Sequence, residues 1–217
     1  MFTAVEINSS FYKAHRRETY QRWAASVPAT FRFSVKLPKE ITHTLRLRRS
    51  ARLLDEFFEQ TGGLGRRLGA VLVQLPPSLA FERAVVRRFF AQVRDRYTGR
   101  AVVEPRHVTW FDERAETVLH EFSIGRVAAD PALSEAAKRP GGDPRLAYFR
   151  LHGSPRMYYS SYDEAFLESV ARDMRASRGA REVWCIFDNT AHSHAVPNAL
   201  RLAELLKLAP TTRRPHS

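Results

Sequence analysis

Short apolar runs alternate along the chain with longer segments in which hydrophobic residues recur at helical spacing. The short runs predict seven β-strands, and the longer segments predict six helices with one apolar face each. The predicted strands are 3–8, 31–37, 70–75, 100–104, 123–128, 146–152 and 183–188. The predicted helices are 18–26, 45–61, 81–97, 112–120, 162–177 and 192–208.

This alternation of strands and helices predicts parallel strand pairing with right-handed crossovers. Two α/β architectures satisfy it, an open doubly wound sheet and a TIM-type (β/α) barrel. No GxGxxG or Walker-type glycine loop follows a strand, so nothing supports a nucleotide-binding open sheet, and no cofactor is indicated. No change of composition divides the chain. We therefore expect a single barrel domain over residues 1–209 and a disordered tail over 210–217.

Each predicted strand separates into two faces, because successive side chains point to opposite sides. One face is wholly apolar: Val5, Ile7, Phe33, Val35, Leu37, Val71, Val73, Leu75, Ala101, Val103, Phe149, Leu151, Cys185 and Phe187. The other face reads Glu6, Asn8, Ser34, Lys36, Leu72, Gln74, Val102, Glu104, Arg106, Tyr148, Arg150, His152, Trp184, Ile186 and Asp188. In a barrel the second face points inward, and its polar members collect at the carboxyl-terminal mouth, where such folds place active sites.

The polar rim has two interpretations. Three acids, Glu6, Glu104 and Asp188, face three bases, Lys36, Arg106 and Arg150, which could simply neutralise one another. Buried ion networks are poor devices for stability, however, whereas paired charges in a concave mouth are typical of a functional site. Lys36, in the middle of a predicted strand, supports the functional interpretation, since only five of the 35 cations are lysines. An ammonium with an adjustable pKa suits proton transfer or anion contact.

Composition limits the classes of function. A net charge of +12 favours polyanions such as nucleic acid, although arginine on solvated helix faces explains much of it. The single cysteine, Cys185, lies in an apolar run and excludes a disulfide framework or a cysteine zinc site. The chain shows no signal segment and no apolar stretch long enough to cross a bilayer. A cytoplasmic protein without membrane contact is the expectation.

Six motifs, in order, resemble the domain-of-unknown-function family 72, the YecE-like proteins. They are "VEINSSFY", "RFSVKLPKEITH", "LGAVLVQLPPSL", "VVEPRHVTWF", "YFRLHGSPRMYYSSY" and "WCIFDNTA", and the likeness runs from residue 3 to about residue 207. The resemblance implies a TIM-type barrel whose activity is not established. Barrel enzymes that use metals are similar at the level of fold alone.

The resemblance also implies a set of rim positions. They are Glu6, Asn8, Ser9, Tyr12, Lys36, His43, Gln74, Glu104, Arg106, Trp110, Arg150, His152, Gly153, Tyr159, Asp188 and Asn189. The members of this family begin with an additional strand and helix that this sequence lacks. Seven strands do not close an eight-stranded barrel, so the strands at Thr3 and Val183 would be left as unpaired edges. We expect either a start codon assigned too far downstream or a weakly stable open barrel.

The first functional hypothesis is an enzyme, a hydrolase, lyase or isomerase, that uses acid–base chemistry on a small anionic or polyhydroxylated substrate such as a phosphoester or sugar. The candidate catalytic residues are Glu6, Lys36, Glu104 and His152. The candidate substrate-binding residues are Asn8, Ser9, Tyr12, His43, Gln74, Arg106, Trp110, Arg150, Tyr159, Asp188 and Asn189. A metal held by Glu6, Glu104, His152 and Asp188 is not predicted, because three cations compete for those carboxylates.

Two alternatives stay open. Exposed aromatics at Phe11, Tyr12, Trp110, Tyr158 and Tyr159, with the basic run "RLRRSAR" at 46–52, would suit nucleic-acid binding by stacking and phosphate contact. Loss of an opening strand would instead leave a non-catalytic remnant that associates through its exposed edges. The oligomeric state is not predicted.

Overall fold

Parallel strands and helices alternate throughout residues 2–208, the part of the chain that the computed structural model describes. The strands are β1 (Ala4–Ile7), β2 (Arg32–Lys36), β3 (Leu68–Gln74), β4 (Arg100–Glu104), β5 (Ile124–Arg126), β6 (Ala128–Asp130), β7 (Gly141–Gly142), β8 (Leu146–Leu151) and β9 (Glu182–Phe187). The helices are α1 (Arg17–Ala25), α2 (Ala51–Thr61), α3 (Arg83–Arg96), α4 (Glu113–Glu121), α5 (Glu164–Ala176) and α6 (Ala195–Leu205). The predicted tail at 210–217 lies outside the described residues.

The strands form two sheets. One has the order β1-β2-β3-β4-β5-β7, parallel except for the short antiparallel β7, and the other has the parallel order β6-β8-β9. Strands β5 and β6 are separated only by Val127, whose backbone N–H donates to the carbonyl of Val103, 2.9 Å away. The predicted strand 123–128 is therefore two short strands, one in each sheet, and this segment joins the sheets.

The inner faces of the two sheets meet in one hydrophobic cluster. Leu72 and Val102 from the first sheet pack there with Leu146, Tyr148 and Trp184 from the second. Gly69 permits this approach, because a β-carbon at that position would lie 2.6 Å from the Trp184 ring. The predicted inward face of the strands is thus confirmed, and the polar members of that face continue from this cluster toward the carboxyl ends.

The opposite face of the first sheet packs against helices. Val35, Val71 and Val103 share a buried core there with Phe89 and Phe90 of α3, as the alternation predicts. Val5 departs from this pattern, since it belongs to the same strand face but is 44% exposed.

The parallel α/β architecture is confirmed, but the described residues form no closed barrel. Within residues 2–208, β1 pairs only with β2, and β9 pairs only with β8. A cavity of about 330 Å³ lies between these two strands, lined by Ala4 of β1, Trp184 of β9 and Leu202 of α6, among others.

Two of the helices begin three or more residues later than predicted. The segment predicted as helix from residue 45 instead follows a π-helical turn, Glu40–Thr44, and α2 starts at Ala51. Arg46, Leu47 and Arg49 have φ angles of 50°, 67° and 50°, which a right-handed helix does not allow. The last helix spans Ala195–Leu205 and not 192–208. None of the described helices is long and apolar enough to span a membrane.

Candidate functional site

Charged side chains converge at the carboxyl ends of the parallel strands. Glu6 lies on β1, Lys36 ends β2, Glu104 ends β4 and Arg150 lies near the end of β8. His152 and Asp188 follow β8 and β9. The parallel registers bring these ends to the same side of both sheets, and the side chains are buried or nearly so.

Arg150 is the centre of the cluster. Its guanidinium is fully buried and donates to Glu6 Oε1 at 2.6 Å, Glu104 Oε2 at 2.8 Å and Asp188 Oδ2 at 2.9 Å. Three carboxylates from β1, β4 and the loop after β9 thus share one cation. Such a guanidinium fixes the geometry of its partners, and it has little capacity left for an anionic substrate.

Glu6 is held from two sides. It accepts from Arg150 and also from the Tyr148 hydroxyl, at 3.1 Å, and that hydroxyl lies 2.9 Å from Ser34 Oγ. Burial, together with the charge of Glu6, raises the pKa of Tyr148 well above its usual value, so the phenol keeps its proton and serves as a donor.

His152 lies between two carboxylates. Its Nε2 is 2.9 Å from Glu104 Oε1, and its Nδ1 is 3.1 Å from Asp188 Oδ2. Nε2 also lies 2.7 Å from Nη2 of Arg106. If Nδ1 carries the proton, it donates to Asp188 and Nε2 accepts from Arg106. If Nε2 carries the proton, it donates to Glu104. Either position of the ring proton finds a partner, and this arrangement suits proton transfer.

Two carboxylates of the cluster, Glu104 and Asp188, are held in their ionised form. Burial acts to raise the pKa of Glu104, but Arg150, His152 and Arg106 outweigh it and hold that pKa well below its usual range. For Asp188, burial is likewise outweighed by the His152 hydrogen bond and the Arg150 charge, which lower the pKa. Arg106 forms an ion pair with Glu104, and Gln74 donates to the same carboxylate at 3.3 Å. Ionised carboxylates accept protons, so the cluster is suited to a base.

Lys36 differs from the other cations of the cluster. Its Nζ lies 4.1 Å from the centroid of the Phe11 ring, and the side chain is only 7% exposed. Burial, with the charge of Arg150, lowers its pKa to about 8 against the opposing effect of Glu104, Glu6 and Asp188. A fraction of the amine is therefore neutral near physiological pH.

Four predicted residues border the cluster. Asn8 joins it directly, because its amide donates to Asp188 Oδ1 at 3.2 Å. His43 packs edge-on against Phe11, with ring centroids 5.0 Å apart. Tyr12 is 81% exposed, and Ser9 hydrogen-bonds outward to His15 at 2.8 Å. The last two lie at the outer edge of the mouth.

Trp110 and Phe11, expected to be exposed, are buried. The indole N–H of Trp110 donates to the carbonyl of Leu79 at 2.8 Å, and its ring packs edge-on against Phe81. Those contacts place Trp110 in the core beneath the loops. Phe11 is buried by its contacts with Lys36 and His43.

The remaining predicted residues organise the loops after β8 and β9. Asn189 is buried and donates to the carbonyl of Ser160 at 3.0 Å and to Asn198 Oδ1 at 2.9 Å. Gly153 has a φ of +92°, and a β-carbon there would lie 2.9 Å from the Ser160 carbonyl, so only glycine fits. Tyr159 is 38% exposed and stacks under Arg156.

Three residues of the cluster were absent from the predicted site. Tyr148 contacts Glu6, Phe11 supports Lys36, and Tyr158 lies edge-on to His152 with centroids 5.9 Å apart. The alternation already places Tyr148 on the inward face, two positions before Arg150, but it does not reveal the contact with Glu6. Phe11 and Tyr158 were predicted only as exposed stacking residues, and the contact of Tyr158 with His152 depends on a loop conformation with a φ of 70°.

The described residues contain no group of three or more histidine, cysteine, aspartate or glutamate side chains arranged to hold a metal ion. A cavity of about 810 Å³ lies elsewhere, beside the loop that contains β7, and none of the predicted site residues lines it. Among the charged side chains of the cluster, Arg106 is 12% exposed and Asp188 is 15% exposed, and these two are the most accessible to solvent.

Comparison with known proteins identifies related structures. The family model described as "Protein of unknown function DUF72" matches residues 1–217. A DUF72 family protein from Enterococcus faecalis, solved at 3.10 Å, is 20% identical with a TM-score of 0.83, over 99% of this chain and 88% of that chain. A DUF72 family protein from Thermotoga maritima, solved at 2.20 Å, is 27% identical with a TM-score of 0.80, over 95% and 85%. No curated protein matches the chain.

Proposed function

The chain belongs to the DUF72 family of proteins of unknown function, and we propose that it is an enzyme with its active site in the charged cluster around Arg150. The substrate we propose is a small anionic molecule of the phosphoester or sugar type. The reaction is an acid–base reaction of the hydrolase, lyase or isomerase type. The fold we infer is a TIM-type barrel with one open strand position between β1 and β9, which places the cluster at its carboxyl-terminal mouth.

The burial of the Arg150, Glu104 and His152 side chains carries this proposal. Each buried ion costs several kcal/mol in lost hydration, about as much as its pairing returns, so apolar side chains would stabilise the fold at least as well. Buried charges that cost free energy and lie together at one end of a parallel sheet are typical of an active site.

The geometry assigns different roles to the cations. Arg150 is a positioning residue, because its donors already face Glu6, Glu104 and Asp188. Arg106 is partly exposed and would contact the anionic group of the substrate, and the protonated form of Lys36 would add a positive charge at the same strand ends.

Proton transfer would follow the line from Asp188 through His152 to Glu104. Asp188 is partly exposed, at 15%, and would accept the substrate proton, and the two imidazole nitrogens connect it to the buried Glu104 at 3.1 and 2.9 Å. The lowered pKa of both carboxylates keeps them ionised at neutral pH, so their oxygens are available as hydrogen-bond acceptors.

Thermal shift measurements with inorganic phosphate, sugar phosphates and neutral sugars test the proposal. Anionic ligands are expected to raise the Tm of the wild-type protein, and Arg106→Gln should abolish that shift. Arg201→Gln is the matched control, since Arg201 pairs with Glu164 on an exposed surface and should leave the shift intact. For any substrate found, Glu104→Gln should abolish turnover. Equal shifts in all three proteins, or full turnover by Glu104→Gln, would remove the cluster from the function.

Nucleic-acid binding is a second candidate, favoured by tyrosines at the mouth. Tyr12 and Tyr158 are 81% and 41% exposed and offer faces for stacking on bases. The basic run at 46–52 supports it less, because Arg48 and Arg52 are paired with Glu82 and Glu56. A mobility assay with single-stranded and double-stranded DNA and RNA tests it, and no retardation at low salt would dismiss it.

A further inference from the structure

We infer that Lys36 is a nucleophile that forms an imine with the carbonyl carbon of an aldehyde or ketone substrate. The inference rests on the proposed site at the strand ends and narrows its substrate class to anionic carbonyl compounds, such as phosphorylated sugars in their open-chain form. The environment of the amine and the pairing of its neighbours support it.

The ammonium of Lys36 has no ionic partner of its own. Among residues 2–208, no carboxylate oxygen lies within 4.0 Å of its Nζ, and no hydrogen bond from Nζ is formed. Every other buried cation at these strand ends is paired. A buried lysine that serves only as a counter-ion would be expected to contact a carboxylate.

The nearby acids are occupied by other donors. Glu6 accepts from Arg150 and Tyr148, Glu104 accepts from Arg150, and Asp188 accepts from Asn8. The arrangement supplies negative charge near Lys36 while leaving its amine free. An unpaired amine can approach a carbonyl carbon without first breaking an ion pair.

Two aromatic rings fix the position of the amine. The centroid of the Phe11 ring lies 4.1 Å from Nζ, and this ring packs edge-on against His43, with ring centroids 5.0 Å apart. A cation–π contact favours the protonated amine, whereas burial and Arg150 favour the neutral one, and the balance leaves a pKa of about 8. The charged groups that face Lys36 from other elements are Glu6, Glu104, Arg150 and Asp188, with His43 on the turn after its own strand.

The step balances without an external oxidant or reductant. The neutral amine attacks the carbonyl carbon, a C–N bond forms, and the π electrons move to the oxygen, which takes the proton that the nitrogen releases. The resulting hydroxyl leaves as water after it takes one further proton from solvent, and the product is a protonated imine on Lys36. Arg106, with its partial exposure, would hold the anionic group of the substrate during this step.

Reductive trapping tests the inference on the intact chain. The protein is incubated with glycolaldehyde or glyceraldehyde 3-phosphate in the presence of cyanoborohydride, and the modified lysines are mapped by peptide mass spectrometry. The chain has only five lysines, so the assignment is direct. At pH 7.5 we expect labelling of Lys36 to exceed that of each other lysine by more than about tenfold, because a lysine with a lowered pKa holds far more neutral amine.

Two comparisons keep the result decisive. Lys39→Arg, three residues away and exposed, should retain the labelling, and Lys36→Arg should lose it. Labelling of the wild-type protein in concentrated urea provides a comparison that needs no variant. Unfolding should remove the preferential labelling of Lys36. If Lys36 is labelled no faster than the exposed lysines of the folded protein, the inference is wrong. Arg106-dependent thermal shifts with phosphate would in that case still support the proposed active site.

Discussion

Arg150 and Glu104, 46 residues apart in sequence, share a hydrogen bond of 2.8 Å between side chains that are both fully buried. The bond joins the two sheets, because Glu104 ends β4 of the first sheet and Arg150 belongs to β8 of the second. A charge pair therefore connects the sheets at the strand ends, where the apolar cluster between them gives way to the polar mouth.

Replacement of Arg150 should be strongly destabilising. Arg150→Met leaves Glu6, Glu104 and Asp188 buried without their shared cation, and loss of one partner in such a pair costs about 3–5 kcal/mol. Urea unfolding followed by circular dichroism measures this. Arg201→Met, which breaks exposed pairs with Glu164 and Glu204, should cost far less, because solvent screens these pairs. Similar losses in both variants would contradict the central role of Arg150.

Acid should destabilise the fold through Glu104 and Asp188. Their pKa values are lower in the folded than in the unfolded chain, so the stability they contribute is complete above the unfolded values near 4.5 and 3.8. It is lost as the pH falls through the folded values. The free energy of unfolding of Glu104→Gln should therefore fall less steeply below pH 4.5 than that of the wild type. If the two curves run parallel, the neighbours of Glu104 do not lower its pKa in the folded protein.

Lys36 should also make stability rise with pH, but in an alkaline window and because its buried charge is lost. Its pKa is lowered on folding from 10.5 to about 8, so the unfolded chain binds more protons between these values and stability rises with pH across that window. Lys36→Met removes the buried charge and should be more stable than the wild type at pH 7. The difference should shrink as the pH rises from about 8 to about 10.5. Lys39→Met is the exposed control, for which no such change is expected.

Trp110 should affect stability and not ligand binding. Trp110→Phe removes the indole N–H and leaves the buried carbonyl of Leu79 without its donor, at a cost of about 1–3 kcal/mol. Chemical denaturation measures that cost. The phosphate-induced thermal shift of the variant should match that of the wild type, whereas a lost shift in a folded variant would return Trp110 to the binding site.

The inward face of the strands was predictable because the period of two along a strand is a local property. Leu72, Glu104 and Arg150 fall on that face from their spacing alone, and the structure places them there. Parallel pairing followed from the order of elements. The inward positions at the strand ends could therefore be named from the sequence.

Other features depend on contacts between distant parts of the chain. The late start of α2 follows from left-handed residues such as Leu47, which is buried, and no propensity scale indicates this. The burial of Trp110 depends on Leu79 and Phe81 from another loop. Which cation neutralises which carboxylate is likewise decided by side-chain geometry, and only the structure distinguishes the paired Arg150 from the unpaired Lys36.

The unpaired outer edges of β1 and β9 make association between copies of the protein depend on ionic strength. Backbone donors and acceptors that find no strand within residues 2–208 are a template for a strand from another molecule. The charge of +12 opposes such an encounter, because like-charged molecules repel over a Debye length of about 10 Å at 0.1 M salt and about 3 Å at 1 M. At low salt, electrostatic repulsion keeps apart molecules whose strand edges could otherwise pair. Sedimentation at rising ionic strength should therefore show increasing association.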